Sequence, residues 1–232
     1  MDKESPIYGS ALASPATREV LAELHGDARR DFRHYPRVGL SLLLDRIRGV
    51  RQTSAIRYGK MRDLYLAVTE SQGRFLYLTA RALGARRVVE FGAAFGLSTI
   101  YLAAAVKDNG GGRVITSEIE QDKAVQAMAN IRKAGLSEHV EMRVGDAEQT
   151  LTRLDHDLDL IFLDGWEPLY LPLVQALGPR LRRGGVVIAD DVVQYRKQLR
   201  DYVAHVRDVR NGYQSVTVHV PFWRALEYSV RL

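Results

Sequence analysis

Residues 87–100 read RVVEFGAAFGLSTI and contain the transition around which the rest of the chain is arranged. Two valines precede Glu90, which predicts a short buried strand. Gly92 and Gly96 follow, where a turn without Cβ atoms can pass close to a ligand. From Leu97 onward the residues are mainly apolar, which predicts a helix whose free N–H groups face the same ligand. The stretch therefore predicts the nucleotide-binding turn of an open α/β sheet.

The form of this turn differs from the dinucleotide-binding fingerprint, which reads G-x-G-x-x-G. Here the order is E-x-G-x-x-x-G, with Ala94 at the place of the second glycine. A lone pair of glycines also occurs in strand–helix turns that bind no ligand. The remainder of the chain has to distinguish these two interpretations.

Strands and helices alternate after this turn, which predicts a parallel sheet covered by helices on both faces. The last two predicted strands form a hairpin, which indicates an antiparallel edge. The predicted strands cover residues 88–91, 113–118, 140–144, 158–163, 186–189, 215–220 and 225–231. The predicted helices of this part cover residues 72–83, 97–106, 121–134, 147–154, 169–181 and 196–210.

The first part of the chain has a helical pattern without strands. Amphipathic helices are predicted over residues 17–28 and 38–50. We therefore expect an N-terminal helical extension at residues 1–60, which is not an independent domain, and one α/β domain at residues 61–232. The extension is expected to cover the functional site or to form the interface of a homodimer.

The composition excludes several classes of protein. The 232 residues include no cysteine, which excludes disulfides, thiolate metal sites and cysteine nucleophiles. No run of 18 apolar residues occurs, and the N-terminus lacks a signal-peptide core, so we expect no membrane span and a cytoplasmic location. No G-x-S-x-G element or P-loop is present, so hydrolase and kinase functions have no support.

The net charge of +5 is unevenly distributed along the chain. Residues 1–87 contain 16 Lys and Arg against 9 Asp and Glu, whereas the remainder contains 17 against 19. One interpretation is a patch for an anionic partner such as nucleic acid, and the other is a set of solvated helix faces. We favour the second, because no aromatic-rich basic motif of an RNA-binding module accompanies the charge. The basic residues include Arg29, Arg30, Arg33, Arg37, Arg46, Arg48, Arg51, Arg57, Lys60 and Arg62.

Acidic residues follow or end every strand of the predicted parallel sheet. Ligands of open α/β sheets bind at the carboxyl ends of the strands, so these side chains should surround one crevice. Unpaired carboxylates repel one another, so we expect a cationic or polyhydroxylated ligand among them. Simpler interpretations exist for three of them, since Asp146 and Asp191 can each cap a helix and Glu118 can be exposed to solvent. The acidic residues are Glu90, Glu118, Asp146, Asp164, Asp190 and Asp191.

Some of these positions predict a particular chemistry. Glu118 lies 26 residues after the first glycine of the turn, where an acid can accept both ribose hydroxyls of a nucleoside. Asp164, Asp190 and Asp191 offer three hard oxygen ligands, which suit Mg²⁺ or Ca²⁺. Trp166 can place an aromatic face on an adenine, or it can anchor the next helix.

The order and spacing of these motifs resemble those of the cation-dependent O-methyltransferases that use S-adenosylmethionine, the group of the catechol and caffeoyl-CoA enzymes. The resemblance covers about residues 55–232. It implies the Rossmann-like fold of class I methyltransferases, a mostly parallel α/β sheet of seven strands whose last strand is antiparallel. The motifs are VVEFGAAFGLS (88–98), VITSEIE (114–120), VGDAEQ (144–149), LIFLDGWEPLY (160–170) and LRRGGVVIADDVV (181–193).

The resemblance also implies roles for individual residues. The methionine part of S-adenosylmethionine is expected at Glu90, its ribose at Glu118 and its adenine beside Asp146. The implied metal ligands are Asp164, Asp190 and Asp191, with Mg²⁺ expected and Ca²⁺ or Mn²⁺ as alternatives. The implied cofactor-binding residues are Glu90, Gly92, Gly96, Ser98, Glu118, Asp146, Ala147, Asp164 and Trp166.

The implied reaction is methyl transfer to one hydroxyl of a catechol-like or vicinal-dihydroxy small molecule, with a cation that lowers the pKa of the hydroxyl. Two departures from the family pattern stand out. The family usually has Asp-Asn where this chain has Asp190-Asp191. Catechol-type members carry a lysine as candidate base where this chain has Glu167, and a glutamate can serve only with a raised pKa. We expect Asp164 and Glu167 as catalytic residues.

Three other functions stay open from the sequence. The basic N-terminal part allows a methyltransferase that acts on RNA. A nicotinamide-dependent oxidoreductase is disfavoured by the missing fingerprint and by the paired acids after the fifth strand. A non-catalytic binding protein that keeps the fold is allowed by the two departures at Glu167 and Asp191.

Overall fold

The computed structural model describes residues 9–31, 44–45, 47–49, 68–154, 157–221 and 224–232. The strands are β1 (Arg87–Phe91), β2 (Arg113–Glu118), β3 (Val140–Val144), β4 (Leu158–Leu163), β5 (Leu181–Ala189), β6 (Tyr213–His219) and β7 (Ala225–Arg231). The helices are α1 (Pro15–Asp31), α2 (Glu70–Ala82), α3 (Leu97–Asp108), α4 (Gln121–Lys133), α5 (Ala147–Thr150), α6 (Tyr170–Leu177) and α7 (Arg200–Arg207). The strands form one sheet in the order β3-β2-β1-β4-β5-β7-β6.

The predicted fold class is confirmed by the pairing of the strands. Strands β1 to β5 are parallel, and β7 lies antiparallel between β5 and β6. Strand β7 is therefore hydrogen-bonded on both sides, and β6 forms the antiparallel edge that the terminal hairpin predicts. The reversal places the start of β7 beside the carboxyl end of β5, where Asp190 and Asp191 follow.

The two central strands are apolar on both faces, as is typical of strands buried on both sides. Val88 in β1 and Phe162 in β4 point into a core shared with α2 and α3. Val89 and Ile161 point into the opposite core, which is shared with α6 and α7. All four side chains are at most 1% exposed. The centre of the sheet is thus fixed between two packed layers, and the carboxyl ends of its parallel strands lie along one edge.

Several predicted boundaries are wrong where polar residues or glycines interrupt the pattern. The helix predicted over residues 169–181 ends at Leu177, because Gly178 opens a 3₁₀ turn that contains a proline. Strand β5 begins at Leu181 instead of residue 186, since its bulged start contains two arginines and two glycines that hide the strand pattern. The helices predicted over 147–154 and 196–210 are reduced to α5 and α7.

Helix α1 packs on the main sheet domain through contacts near the end of α4. Thr17 donates from its hydroxyl to the carbonyl of Ala134 at 3.2 Å, and Lys133 pairs with Glu23 at 2.8 Å. The second helix predicted for the extension, over residues 38–50, lies mostly outside the described residues. The same holds for Arg33, Arg37, Arg46, Arg51, Arg57, Lys60 and Arg62. In the described ranges no helix combines the length and the apolar character that crossing a membrane requires.

The turn between β1 and α3 lies directly against the end of β4. Gly92 has a φ of +100°, and a Cβ atom there would lie 2.4 Å from the carbonyl oxygen of Asp164. The N–H of Asp164 donates to the carbonyl of Phe91 at 2.9 Å, which fixes the two segments at close range. The glycine is therefore required by the neighbouring strand end, whereas the sequence predicts a close approach to a ligand.

We expect Gly92→Ala to lower the free energy of unfolding by about 2–4 kcal/mol, because alanine is strained at positive φ and its methyl group overlaps a backbone carbonyl. Gly110→Ala is the matched control, since Gly110 has a φ of +88° and no described atom within 4 Å of its Cβ position. The control should lose only about 1 kcal/mol from backbone strain. Urea denaturation measures both variants, and equal losses would contradict the proposed overlap.

Candidate active site

The sheet places the predicted acidic residues along one edge, because β2, β1, β4 and β5 are neighbours and run in the same direction. Asp164 directly follows β4, while Asp190 and Asp191 directly follow β5. Glu118 is the last residue of β2. Glu90 lies one residue before the end of β1 and is completely buried. The side chains that the strand-end rule singles out therefore border one region of the molecule.

Asp164, Asp190 and Asp191 form what we call the aspartate cluster. One carboxylate oxygen of each residue lies within 4.8 Å of the others. Asp190 is completely buried, and the other two residues are partly buried. Three hard oxygen donors at this spacing fit a divalent cation such as Mg²⁺, Ca²⁺ or Mn²⁺. The structure brings the three predicted ligands together, and their role in binding a cation stays a prediction.

Two residues that the sequence did not single out contact the aspartate cluster. Gln72 donates from Nε2 to Oδ1 of Asp190 at 2.8 Å. Arg224 places Nη2 at 2.8 Å from Oδ1 of Asp191 and at 3.2 Å from Oδ2 of Asp190. Gln72 has a local signal, because it forms a capping box with Thr69 at the start of α2. For Arg224 no local pattern in the sequence predicts the contact.

Burial is the main influence on the pKa values of Asp164 and Asp190. It raises the pKa of Asp190 to about 7 and raises the pKa of Asp164 well above its usual range. Repulsion from neighbouring carboxylates acts in the same direction, and the charge of Arg224 lowers the pKa of both groups. A bound cation would remove this repulsion, so the cluster is an electrostatically favourable place for one.

The backbone of Asp191 is in the left-handed region, with a φ of +60°. Asn and Asp tolerate this region better than other residues with a Cβ atom. Its N–H donates to Oδ1 of Asp190 at 2.7 Å, and its carboxylate contacts Arg224. Among the described hydrogen bonds, the side chain of Asp191 caps no helix, so the interpretation of Asp191 as a helix cap is wrong.

Glu90 has unequal hydrogen bonding at its two carboxylate oxygens. Thr99 donates from Oγ1 to Oε2 at 2.5 Å. The other oxygen, Oε1, is buried and has no hydrogen bond of normal geometry in the described part of the chain. Burial raises the pKa of Glu90, although the neighbouring hydroxyls of Ser98 and Thr116 act to lower it. A cationic or N–H donor of a ligand would satisfy this oxygen, which agrees with the place that the family resemblance gives to Glu90.

Glu118 is held in a fixed orientation by the backbone. Its Oε2 accepts a hydrogen bond from the N–H of Ala94 at 2.9 Å, and its Oε1 accepts one from the N–H of Glu120 at 3.0 Å. Each carboxylate oxygen keeps a further lone pair for a ligand hydroxyl. The residue therefore lies at the β1–α3 turn in an orientation that is suited to accept hydrogen bonds.

The other predicted cofactor residues lie around the same turn and at the start of α5. Gly96 has a φ of +87° directly before α3, and Ser98 is buried in the first turn of that helix. Asp146 caps α5, because its Oδ1 accepts a hydrogen bond from the N–H of Glu148 at 2.9 Å. The interpretation of Asp146 as a helix cap is therefore correct for this oxygen. Ala147 is the buried first residue of α5.

Trp166 and Glu167 follow Asp164 in the segment that leads into α6. Trp166 is partly buried and packs against the core on the side of α6, which agrees with its interpretation as an anchor for the next helix. Glu167 is buried at the start of the 3₁₀ turn Glu167–Leu169. The pKa of Tyr170 is raised, first by burial and then by the charges of the aspartate cluster and of Glu167. The charges of Glu167 and of the cluster therefore act on the same buried tyrosine.

Comparison with known proteins identifies relatives of this chain. Residues 89–192 match the model of a methyltransferase domain. The chain is 38% identical over 130 residues to a catechol O-methyltransferase of Mycobacterium tuberculosis, which covers 56% of this chain and 58% of that protein. It is 33% identical over 184 residues to catechol O-methyltransferase B of Danio rerio, which covers 74% of this chain and 67% of that protein. The chain spans about three fifths of the length of the first of these relatives.

A solved structure with a similar fold is that of the O-methyltransferase TomG from Streptomyces achromogenes, in complex with SAM. The two chains superpose with a TM-score of 0.65 and 26% sequence identity, covering 78% of this chain and 91% of that one. The range that matches the domain model contains Glu90, Glu118 and the aspartate cluster. Gln72 and Arg224, which contact the cluster, lie outside that range.

We expect Glu90→Gln to change how stability depends on pH. Because burial raises the pKa of Glu90, the folded protein keeps this proton to higher pH than the unfolded chain does, so the contribution of Glu90 to stability falls as pH rises through the raised pKa. The amide does not titrate, so in the range above the ordinary glutamate pKa of about 4.3 the variant should lose less stability with rising pH than the wild type. Thermal unfolding across this range measures the difference, and parallel curves for the two proteins would refute it.

Proposed function

This chain belongs to the family of cation-dependent O-methyltransferases that use S-adenosylmethionine, and we propose that it transfers a methyl group to a hydroxyl of a small molecule. The observation that carries the proposal is the aspartate cluster at the carboxyl edge of the sheet, beside the turn that follows β1. We propose a catechol-like or vicinal-dihydroxy acceptor, because the relatives from Mycobacterium tuberculosis and Danio rerio are named catechol O-methyltransferases.

We propose that the cofactor lies along the ends of β1, β2 and β3. The unpartnered buried oxygen of Glu90 supports a position for the amino group of the methionine part. The backbone-held carboxylate of Glu118 supports a position for the ribose hydroxyls. The other residues proposed for cofactor binding are Gly92, Gly96, Ser98, Asp146, Ala147, Asp164 and Trp166.

We propose Mg²⁺ as the cation of the aspartate cluster, with Ca²⁺ and Mn²⁺ as alternatives. A cation bound there supplies Lewis acidity that lowers the pKa of an acceptor hydroxyl. The residues of the chain contribute position and charge, since the three aspartates belong to two strand ends that the sheet holds rigidly. Methyl transfer between two bound molecules then depends mainly on proximity and alignment.

We propose Asp164 and Glu167 as the catalytic residues. The backbone N–H of Asp164 donates to the carbonyl of Phe91 at the end of β1, and its carboxylate belongs to the aspartate cluster, which supports a position that borders both the proposed cofactor and the proposed cation. Glu167 follows in the next turn and is a candidate to receive the proton of the acceptor hydroxyl. Its buried position beside Tyr170 supports this role, because the proton transfer would be shielded from solvent.

We also propose the division into an extension at residues 1–60 and a methyltransferase domain at residues 61–232. Helix α1 belongs to the extension and contacts the end of α4, and the extension would cover the acceptor or form a homodimer interface. A cytoplasmic location agrees with the absence of cysteine from the sequence. We propose no nucleic acid partner, since neither the comparisons nor the described contacts favour one.

Calorimetric titration with S-adenosylhomocysteine tests the cofactor site. We expect micromolar binding by the wild type and at least tenfold weaker binding by Glu118→Gln, because the amide is a poorer acceptor for two ribose hydroxyls. Glu138→Gln is the matched control, since Glu138 is exposed in the turn that precedes β3. Absence of binding by the wild type would contradict the proposed function.

Methylation of catechol tests the role of the aspartate cluster. We expect Asp164→Asn to lower kcat by at least about 100-fold, because it removes a carboxylate of the cation site, and we expect EDTA to lower the activity of the wild type, because it removes the cation. Asp157→Asn is the control, since Asp157 is exposed and lies directly before β4, at the opposite end of that strand from Asp164. Full activity of Asp164→Asn in EDTA would refute a catalytic cation.

A further inference from the structure

Arg224 approaches the aspartate cluster from the hairpin between β6 and β7, and the backbone holds it firmly. Its N–H donates to the carbonyl of Pro221 at 2.9 Å, and its carbonyl accepts a hydrogen bond from the N–H of Val220 at 3.1 Å. The next residue, Ala225, accepts a hydrogen bond from the N–H of Val192 at 3.3 Å. The hairpin is thus joined to the segment that carries Asp190 and Asp191, and the guanidinium is only 22% exposed.

The carboxylates of the cluster differ at one position from the pattern that the family resemblance implies. The family resemblance implies two aspartates and an asparagine, which together carry a formal charge of −2. This chain has a third carboxylate at Asp191, and it also has the guanidinium of Arg224 at 2.8 Å from that carboxylate. Three carboxylates and one guanidinium again carry a formal charge of −2. A divalent cation would neutralise the site in both cases.

We propose that Asp191 and Arg224 form a compensating pair, in which Arg224 neutralises the extra carboxylate and thereby sets the affinity of the cluster for a divalent cation. This inference rests on the proposed cation-assisted function and names a residue that tunes it. Arg224 contacts the carboxylates but cannot ligate a cation, because its guanidinium has only hydrogen-bond donors. It therefore positions the ligands and sets the affinity of the site.

The geometry also predicts what Arg224 does when no cation is bound. Arg224 bridges the carboxylates of Asp190 and Asp191, and its positive charge offsets the repulsion between them. The backbone of Asp191 is in the left-handed region. Gln72 donates to the oxygen of Asp190 that Arg224 does not contact. The arginine and the glutamine together keep the ligands in place before a cation arrives.

The proposal is tested by calorimetric titration of MnCl₂ into four proteins at fixed ionic strength, without cofactor or acceptor. The proteins are the wild type, Asp191→Asn, Arg224→Gln and the double variant. We expect Asp191→Asn to bind Mn²⁺ about tenfold more weakly and Arg224→Gln about tenfold more tightly, because each change alters the charge of the site by one unit. The double variant restores the formal charge of the wild type, so its affinity should lie within about threefold of it.

Two further measurements separate charge from structure. Arg224→Lys keeps the positive charge, so its affinity for Mn²⁺ should stay within about threefold of the wild type. Thermal unfolding in EDTA shows whether each variant is folded, and we expect the Tm of Arg224→Gln to fall by at least about 4 °C and to recover when Mn²⁺ is added. If Arg224→Gln does not fold, the comparison of Asp191→Asn with the double variant still tests whether removal of the arginine strengthens binding.

Three outcomes would overturn the proposal. Unchanged affinity in Arg224→Gln, or equal affinities in Asp191→Asn and the double variant, would show that Arg224 does not tune the site. Equal behaviour of Arg224→Lys and Arg224→Gln would show that charge is not the cause. These results leave the proposed function intact. Absence of Mn²⁺ binding in all four proteins would overturn both the inference and the cation-assisted function on which it rests.

Discussion

The main physical constraint on the structure is the concentration of buried carboxylates at the carboxyl edge of its sheet. Asp190 and Glu90 are completely buried, and burial raises the pKa of both. Each charge lowers the stability of the fold unless a hydrogen bond, a cation or a ligand compensates it. The compensation inside the chain is incomplete, since one oxygen of Glu90 has no partner among the described residues and one guanidinium serves two aspartates. The sites of incomplete compensation are the positions proposed for the cofactor and the cation.

The central strands supply the stability that this arrangement requires. Strands β1 and β4 are buried on both faces, and β4 lies between β1 and β5, so the ends of the three strands are held side by side. The β1–α3 turn has to pass the end of β4 at a distance that leaves no space for a Cβ atom at Gly92. Tight packing thus fixes the position of Asp164 relative to Glu90, which is the kind of rigidity that two bound molecules need in order to react.

The sequence predicts those features that depend on local patterns. The bounds of β2, β3, β4 and β7 agree with the prediction because apolar or β-branched residues recur along each strand, although polar residues stand between them. The start of β5 was missed because arginines and glycines interrupt its run. Gln72 and Asp190 are 118 residues apart in sequence, and Arg224 and Asp191 are 33 apart, so no local pattern links them. The strand-end rule found the carboxylates, but only tertiary packing defines their partners.

The two departures from the family pattern also differ once the structure is considered. An additional carboxylate at Asp191 appears, from the motif alone, as a stronger cation ligand. Beside Arg224 it is one half of an ion pair, and the formal charge available to a cation is unchanged. Glu167 has a different setting, since it is a further buried carboxyl whose charge, like the charges of the cluster, raises the pKa of Tyr170. A residue that departs from a motif therefore has to be judged with the charges that surround it, because a charged neighbour that is distant in sequence can offset the departure.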